Sequence, residues 1–540
     1  MKKTFIRISC IGLILIMALS ILASCSSSNK KEDTAAGQTE ASDVVDDVVE
    51  SVSTDENGEL SEDQERQLYQ PERIDMGGKE FVIAQSLNDK KQWIAPIEGK
   101  GSDAINVAFE KRNNLLQTYY NITIKVVDYA NSKNNSAEIL QEFQATAAGG
   151  LVISDIVYAV SGQVMKTLIT NGFIEDVNTL EPLNLDASYY DQRLRQEYNI
   201  EGKLFCLEGD FGVHDELRTH VVGVNKAKYK SFGYDGEYGS LYELVKNGDW
   251  TIDIMLEMAK GTSDYASLGG NMTKDSNWGI ISESPFPYVV YLGTGNKVIN
   301  VGNGGALTVS YNDPSAFQFM EEMLQDITNR VVLENNETIL ADASKGVLSD
   351  SNYWGEAQGM FSQGKALFRT STLVDFTKYA DMEDEFGILP VPKYSTDQDY
   401  YYSWCSSQAH SPLFVPRNTD KEELNKTATI VEGMAYFSKY MSGTTQTLHD
   451  AFYQNMADAK LCLTVDDRDM LALIFEQRTF DLDNVLNISN TCYTIVNVAK
   501  GNSKSIPAEL SSIQTIMTNT DENTNPLKKF LGMMRNNYKY

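Results

Sequence analysis

The 540-residue chain predicts an α/β fold in two lobes, on three observations. Between residues 80 and 170 the apolar spacing alternates between strand and helix periods, the mark of a parallel sheet with crossover helices. The globular stretch beyond residue 77 runs for about 460 residues, too long for one compact core. A glycine-rich hairpin followed by a capped helix near residue 300 gives the second half a mixed character.

Ahead of the body, Lys2, Lys3 and Arg7 precede an apolar run from Ile11 to Ala23 that ends in Leu22-Ala23-Ser24-Cys25. A basic start, a short apolar run and small residues read as a secretory signal peptide, since the run is too short to span roughly 30 Å of hydrocarbon. Leu-Ala-Ser before the cysteine resembles a bacterial lipobox. That resemblance implies cleavage before Cys25, a diacylglycerol on its thiol and a place outside the cytoplasmic membrane. Residues 26 to about 75 are rich in Ser, Thr, Asp and Glu and hold few apolar residues. Such a segment buries too little to order itself, so an acidic tether is expected, with a short helix near Glu62 to Tyr69 at its end.

The elements of the body follow in order. Glu80 to Ala84 is a strand and Asp103 to Tyr120 a helix with Ile105, Phe109, Leu115 and Leu116 near one face. Ile122 to Val127 alternates as a strand, and Ser136 to Ala148 is a helix stopped by Gly149-Gly150. Asp155 to Val160 is the third strand, and Gln163 to Thr170 a helix ended by Asn171-Gly172. Right-handed crossovers then put ligands at the carboxyl ends of the strands. Further on, Lys297 to Val301 and Ala306 to Tyr311 flank Gly302-Asn303-Gly304-Gly305, which reads as a hairpin. Asp313 is placed to cap a helix whose first residue is Pro314 and whose inner face carries Phe317, Met320, Met323 and Ile327. Helices are expected over Lys421 to Met441 and Asp466 to Phe480.

Charge and motifs exclude several functions. The formal charge of −29 argues against nucleic acid, whose phosphates need clustered Lys and Arg. No C-x-x-C or H-E-x-x-H occurs, and His214, His220, His410 and His449 lack ligand spacing, so no metal or cofactor is expected. There is no G-x-S-x-G elbow, and the P-loop-like spacing from Gly359 to Lys365 fails at Ala366, so no catalytic residue is assigned. Cys206, Cys405, Cys462 and Cys492 allow three disulfide pairings, and buried free thiols are preferred.

Several segments then match a known family in its order. They are Gly172-Phe173-Ile174-Glu175-Asp176-Val177, Gly202-Lys203-Leu204-Phe205, Val222-Gly223-Val224-Asn225-Lys226, Asp249-Trp250-Thr251, Met360 to Phe368 and Glu385 to Lys393. Together they resemble the extracellular solute-binding proteins of bacterial ABC importers, the group that contains maltose-binding proteins. The resemblance implies a type II periplasmic-binding-protein-like fold with a ligand cleft between lobes. It divides the chain into signal peptide 1–24, anchor and disordered tether 25–77, lobe I 78–209 plus 392–418, and lobe II 210–391 plus 419–540. It also implies interlobe closure on a small polar solute, delivery to permease subunits, and a lipid-anchored monomer.

For the ligand, sugar rings need aromatic platforms and polar rims. Candidates at strand ends and loops are Asn88, Asp89, Trp93, Tyr158, Ser161 and Asp210 with Phe211 beside it. The second half adds Phe286, Tyr288, Arg369, Ser371, Tyr402 and Trp404, with Ser406 close by. With the resemblance, this makes an oligosaccharide the expected solute, and peptides or other polar solutes stay open. The alternatives are a binding module for a membrane sensor and a surface carbohydrate-active enzyme.

Overall fold

The computed structural model describes residues 60–86, 103–128, 135–147, 154–342, 346–349, 351–441, 447–459, 461–503 and 505–539. Cys25, the signal peptide and most of the expected tether lie outside them. Residues 61–77, assigned to the tether with a short helix near Glu62 to Tyr69, belong instead to the folded unit that begins at Ser61, and the helix is present. Helix α1 (Glu62–Leu68) opens with a capping box in which Ser61 and Gln64 satisfy each other's backbone N–H. The carboxylate of Glu65 is buried and accepts hydrogen bonds from Ser188 and, at 2.6 Å, from Tyr440. Tyr69 stands edge-on to Tyr189.

The first half then alternates as its periodicity requires: β1 (Lys79–Ser86), α2 (Ala104–Tyr120), β2 (Ile122–Asp128), α3 (Asn135–Ala147), β3 (Ile156–Ala159) and α4 (Ser161–Thr170). Asp103 caps α2 through two backbone N–H groups. Helices α5 (Gln192–Glu197) and α6 (His214–Leu217) flank the first passage toward the second sheet. That sheet is built from β4 (His220–Asn225), β5 (Trp278–Ser282), β8 (Thr338–Leu340), β9 (Ala366–Thr372) and β10 (Phe386–Leu389), with α7 (Ile252–Thr262), α8 (Phe286–Gly293), α9 (Pro314–Thr328) and α10 (Tyr353–Ser362) interspersed. Asp313 caps α9 with Pro314 at its first position. The hairpin is present as β6 (Ile299–Val301) and β7 (Leu307–Val309), paired antiparallel.

The return runs through β11 (Ser403–Trp404) and β12 (Leu413–Phe414), then α11 (Lys421–Lys439), α12 (Leu448–Asp458), α13 (Val465–Glu476) and β13 (Arg478–Thr479). The expected helix from Asp466 to Phe480 thus stops at Glu476, and its last residues form a strand parallel to β11.

The first sheet has the order β12-β3-β1-β2 and the second β10-β4-β9-β5-β8. In the first, β2 and β3 run parallel to β1, and β12 joins β3 antiparallel. In the second, β4 is antiparallel to both β10 and β9, whereas β5 is parallel to β9 and β8. Helices flank both sheets, giving a two-lobed α/β fold. Among the described residues no helix is long and apolar enough to cross a membrane.

The C-terminal third is shared between lobes, which corrects the assignment of 419–540 to lobe II. Helix α11 joins the first sheet: Glu423 takes a 2.8 Å bond from Lys79, and a side chain at Gly433 would collide with the Tyr120 ring. The helix Pro526–Asn537 also sits against α4, with Asn537 donating to the Thr170 carbonyl and Tyr538 to that of Ile174. The amphipathic pattern of α11 fixes which face is buried but not the sheet that covers it. Cys206, Cys405, Cys462 and Cys492 are free and buried.

Candidate functional site

Two chain passages link the sheets. The outgoing passage runs through residues 205–219 into β4, and the return leaves β10 at Leu389 and reaches β12 at Leu413. They touch at an antiparallel bridge between Thr219 and Cys405, and Leu207 bridges Leu413. The outgoing passage lies against the backbone of residues 189–190: Asp210 N–H donates to Tyr189 O, and Asp191 N–H to Glu208 O. Gly209 makes this approach possible. Its φ of 155° and the collision that any Cβ would have with the Tyr189 carbonyl both exclude a side chain.

Beside this passage is a cavity of about 350 Å³. Asp210 and Glu216 supply carboxyl groups, while Phe452 and Tyr453 of α12 and Phe475 of α13 supply rings. Phe452 meets Phe475 edge-on at 5.7 Å, and His449 lies 4.8 Å from the Tyr453 ring. Rings offer apolar faces and carboxyls accept from hydroxyls, a combination suited to a polyol or sugar ring. Burial pushes Asp210 up to about 7 and the Tyr453 phenol up to about 12.

Behind the cavity lies a knot of buried charge. Arg478 of β13 reaches Asp191 at 2.5 Å and Asp215 at 2.6 Å, with Glu216 at 3.7 Å. Burial alone would lower the guanidinium pKa, but Asp215, Asp191 and Glu216 hold it well above its ordinary value. Burial raises both Asp215 and Glu216, against the lowering pull of Arg478. Nearby, Glu208 and His410 Nε2 stand 2.6 Å apart. Burial drives Glu208 up and His410 down to about 3, so burial disfavours the charged form of each. The knot's members come from the cap of α5, the outgoing passage, the return and β13.

The sequence-predicted residues take several positions. Asp210 lines the large cavity. Tyr402 lines a smaller one on the other side of β13. Ser161 is buried at the start of α4, where its hydroxyl lies 3.2 Å from the carbonyls of both Ser407 and His410. Tyr158 is buried in β3, 6.5 Å from the Phe211 ring. Phe286, Tyr288 and Trp404 are buried: Tyr288 donates to Asp481 at 2.9 Å, and Trp404 stacks on His220 at 5.2 Å. Arg369 is fully buried and bonded to Asp375 at 3.0 Å, and Ser371 bonds Glu283. Asn88, Asp89 and Trp93 fall outside the described residues. Phe452, Tyr453, Phe475, Glu216 and Arg478 had no distinguishing signal, because aromatic residues at helical spacing read as ordinary packing.

No family model and no curated protein matches the chain. Solved structures do. A cyclo/maltodextrin-binding protein complexed with maltotetraose is similar at 13% identity and a TM-score of 0.50, covering 82% of this chain and 98% of its own. An ABC substrate-binding protein from Listeria monocytogenes in complex with cycloalternan has 16% identity and a TM-score of 0.47 over 81% and 97%. A maltose/maltodextrin-binding domain from Bdellovibrio bacteriovorus bound to maltotriose has 14% and 0.46 over 81% and 98%. At such identities the likeness is one of fold: two sheets flanked by helices and joined by paired passages, the two-lobed periplasmic-binding-protein-like architecture.

Proposed function

We propose that this chain is the lipid-anchored solute-binding component of an ABC importer. It captures an oligosaccharide by closing its lobes and presents it to permease subunits outside the cytoplasmic membrane. The observation that carries the reading is the cavity at the interlobe passage, where Phe452, Tyr453 and Phe475 oppose Asp210 and Glu216. A solute touching both sides of that passage stabilises the closed state through its differential affinity for it. Binding of maltotetraose by a protein of similar fold supports the carbohydrate class.

The test is calorimetry against linear and cyclic gluco-oligosaccharides, followed by small-angle scattering with and without each sugar that binds. The expected outcome is affinity accompanied by compaction, and at least a tenfold loss of affinity in Phe475→Ala. Absence of binding across the panel refutes the carbohydrate assignment. Release of shortened sugars during the titration refutes a purely binding role.

A further inference from the structure

The two residues of β13 face opposite ways. Arg478 enters the charge knot behind the large cavity, whereas the Thr479 hydroxyl reaches the Glu197 carboxylate at 3.2 Å and borders a second cavity of about 180 Å³. This second cavity lies between α5, the β6–β7 hairpin and the return passage, and its walls include Arg193, Lys297, Asn300 and Tyr402.

Its charges do not cancel. Lys297 and Glu197 form an ion pair at 2.6 Å, and the remaining bonds of that pair go to the Phe480 backbone and Thr479. Arg193 is left over. Among the described residues no carboxylate or carbonyl pairs with its guanidinium, whose charge reaches the Tyr402 phenol. The residues lining the cavity thus carry one net positive charge, with Asp399 acting on the same Tyr402 from beyond the lining, within a chain of formal charge −29. A free guanidinium offers a fork of donors that matches a carboxylate two-to-two.

An aromatic ring adjoins that fork. Gly295 has φ 79°, and a Cβ there would stand 2.7 Å from the Tyr402 ring, so the glycine lets the ring settle against the turn that follows α8. Tyr400 supports it edge-on at 6.1 Å. A dry cavity of about 150 Å³ admits benzene, so the space here suits one six-membered ring.

We propose that this cavity is a second binding site, for a monosaccharide bearing one carboxylate. Arg193 takes the carboxylate and Tyr402 takes the ring face. The site is separate from the aromatic cavity, and its existence does not depend on what that cavity holds.

The experiment is calorimetry of the full chain with D-glucuronate at 0.15 M salt, with D-glucose and acetate as the probes that lack charge or ring. Glucuronate is expected to bind, and glucose and acetate at least tenfold more weakly. Arg193→Gln should lose at least tenfold in affinity, Arg193→Lys less, and Tyr402→Leu should bring glucuronate down to the level of acetate. Thermal melts should be unchanged in the arginine variants, because the side chain has no protein partner to lose. No glucuronate binding, equal binding in Arg193→Gln, or equal binding of glucose overturns the site. Equal binding of acetate overturns the ring assignment. Failure of neutral oligosaccharides to bind bears on the aromatic cavity alone.

Discussion

Asp210 is where a backbone constraint becomes an electrostatic one. Gly209 lets the passage lie against residues 189–190, and the next side chain is thereby carried into a pocket that burial makes costly for a charge. A carboxyl whose folded pKa lies above its unfolded value holds its proton more tightly when folded. Its contribution is therefore neutral below the ordinary value of 3.8 and lowers stability progressively as pH rises to about 7. At about 1.4 kcal/mol per unit, that shift sets a ceiling of about 4 kcal/mol, which partial exposure reduces. Asp210→Asn should therefore raise the urea-unfolding free energy at pH 8 by about 1–2 kcal/mol and leave it unchanged at pH 4. An equal effect at both pH values would show that Asp210 ionises freely. Asp210 was legible in the sequence as a polar residue near a passage between lobes. Its environment was not, because the Glu208–His410 contact behind it joins residues 202 positions apart.

At the scale of elements, α1 is a strap across three other segments. Burial works against the Glu65 charge, yet bonds from Ser188 and Tyr440 hold its carboxyl below the ordinary range. Tyr436 donates to the Arg66 carbonyl at 2.8 Å and Tyr119 to that of Pro71 at 2.6 Å, so both α11 and α2 grip the strap. Glu65→Ala should cost about 2 kcal/mol, measured as a lower urea midpoint with the slope unchanged. No shift would mean that the strap is not coupled to the body. The run from β1 to α4 was readable because strand and helix periods alternate between clear boundaries, such as the start at Asp103 and the stop at Gly172. The pairs β11 and β13 were not, since a two-residue strand has no period. Arg478-Thr479 continues an apolar helical run, and only its partner at Ser403–Trp404 makes it extended.

In the whole molecule one helix serves two cores. Ile105 and Phe109, near the start of α2, join an apolar cluster with Leu448, Phe452 and Leu471, whereas Leu116 and Tyr120 at its end pack with the first sheet. The sequence showed the apolar face of α2 but not its division between neighbours, which depends on where α12 docks. The proposed anchor belongs to this scale too. Cys25→Ala should move the protein from the membrane fraction to the medium or soluble envelope fraction, read by immunoblot and by loss of incorporated labelled palmitate; an unchanged distribution would refute lipidation at this residue. The strap gives such attachment a mechanical side. Tension on the chain ahead of Ser61 enters the body through Glu65 and Tyr69, passes to residues 188–190 and from there to the backbone at 208–210. Because Tyr119, Tyr436 and Tyr440 hold the same segment, a pull on it loads the passage between the lobes and the helices on the first sheet together.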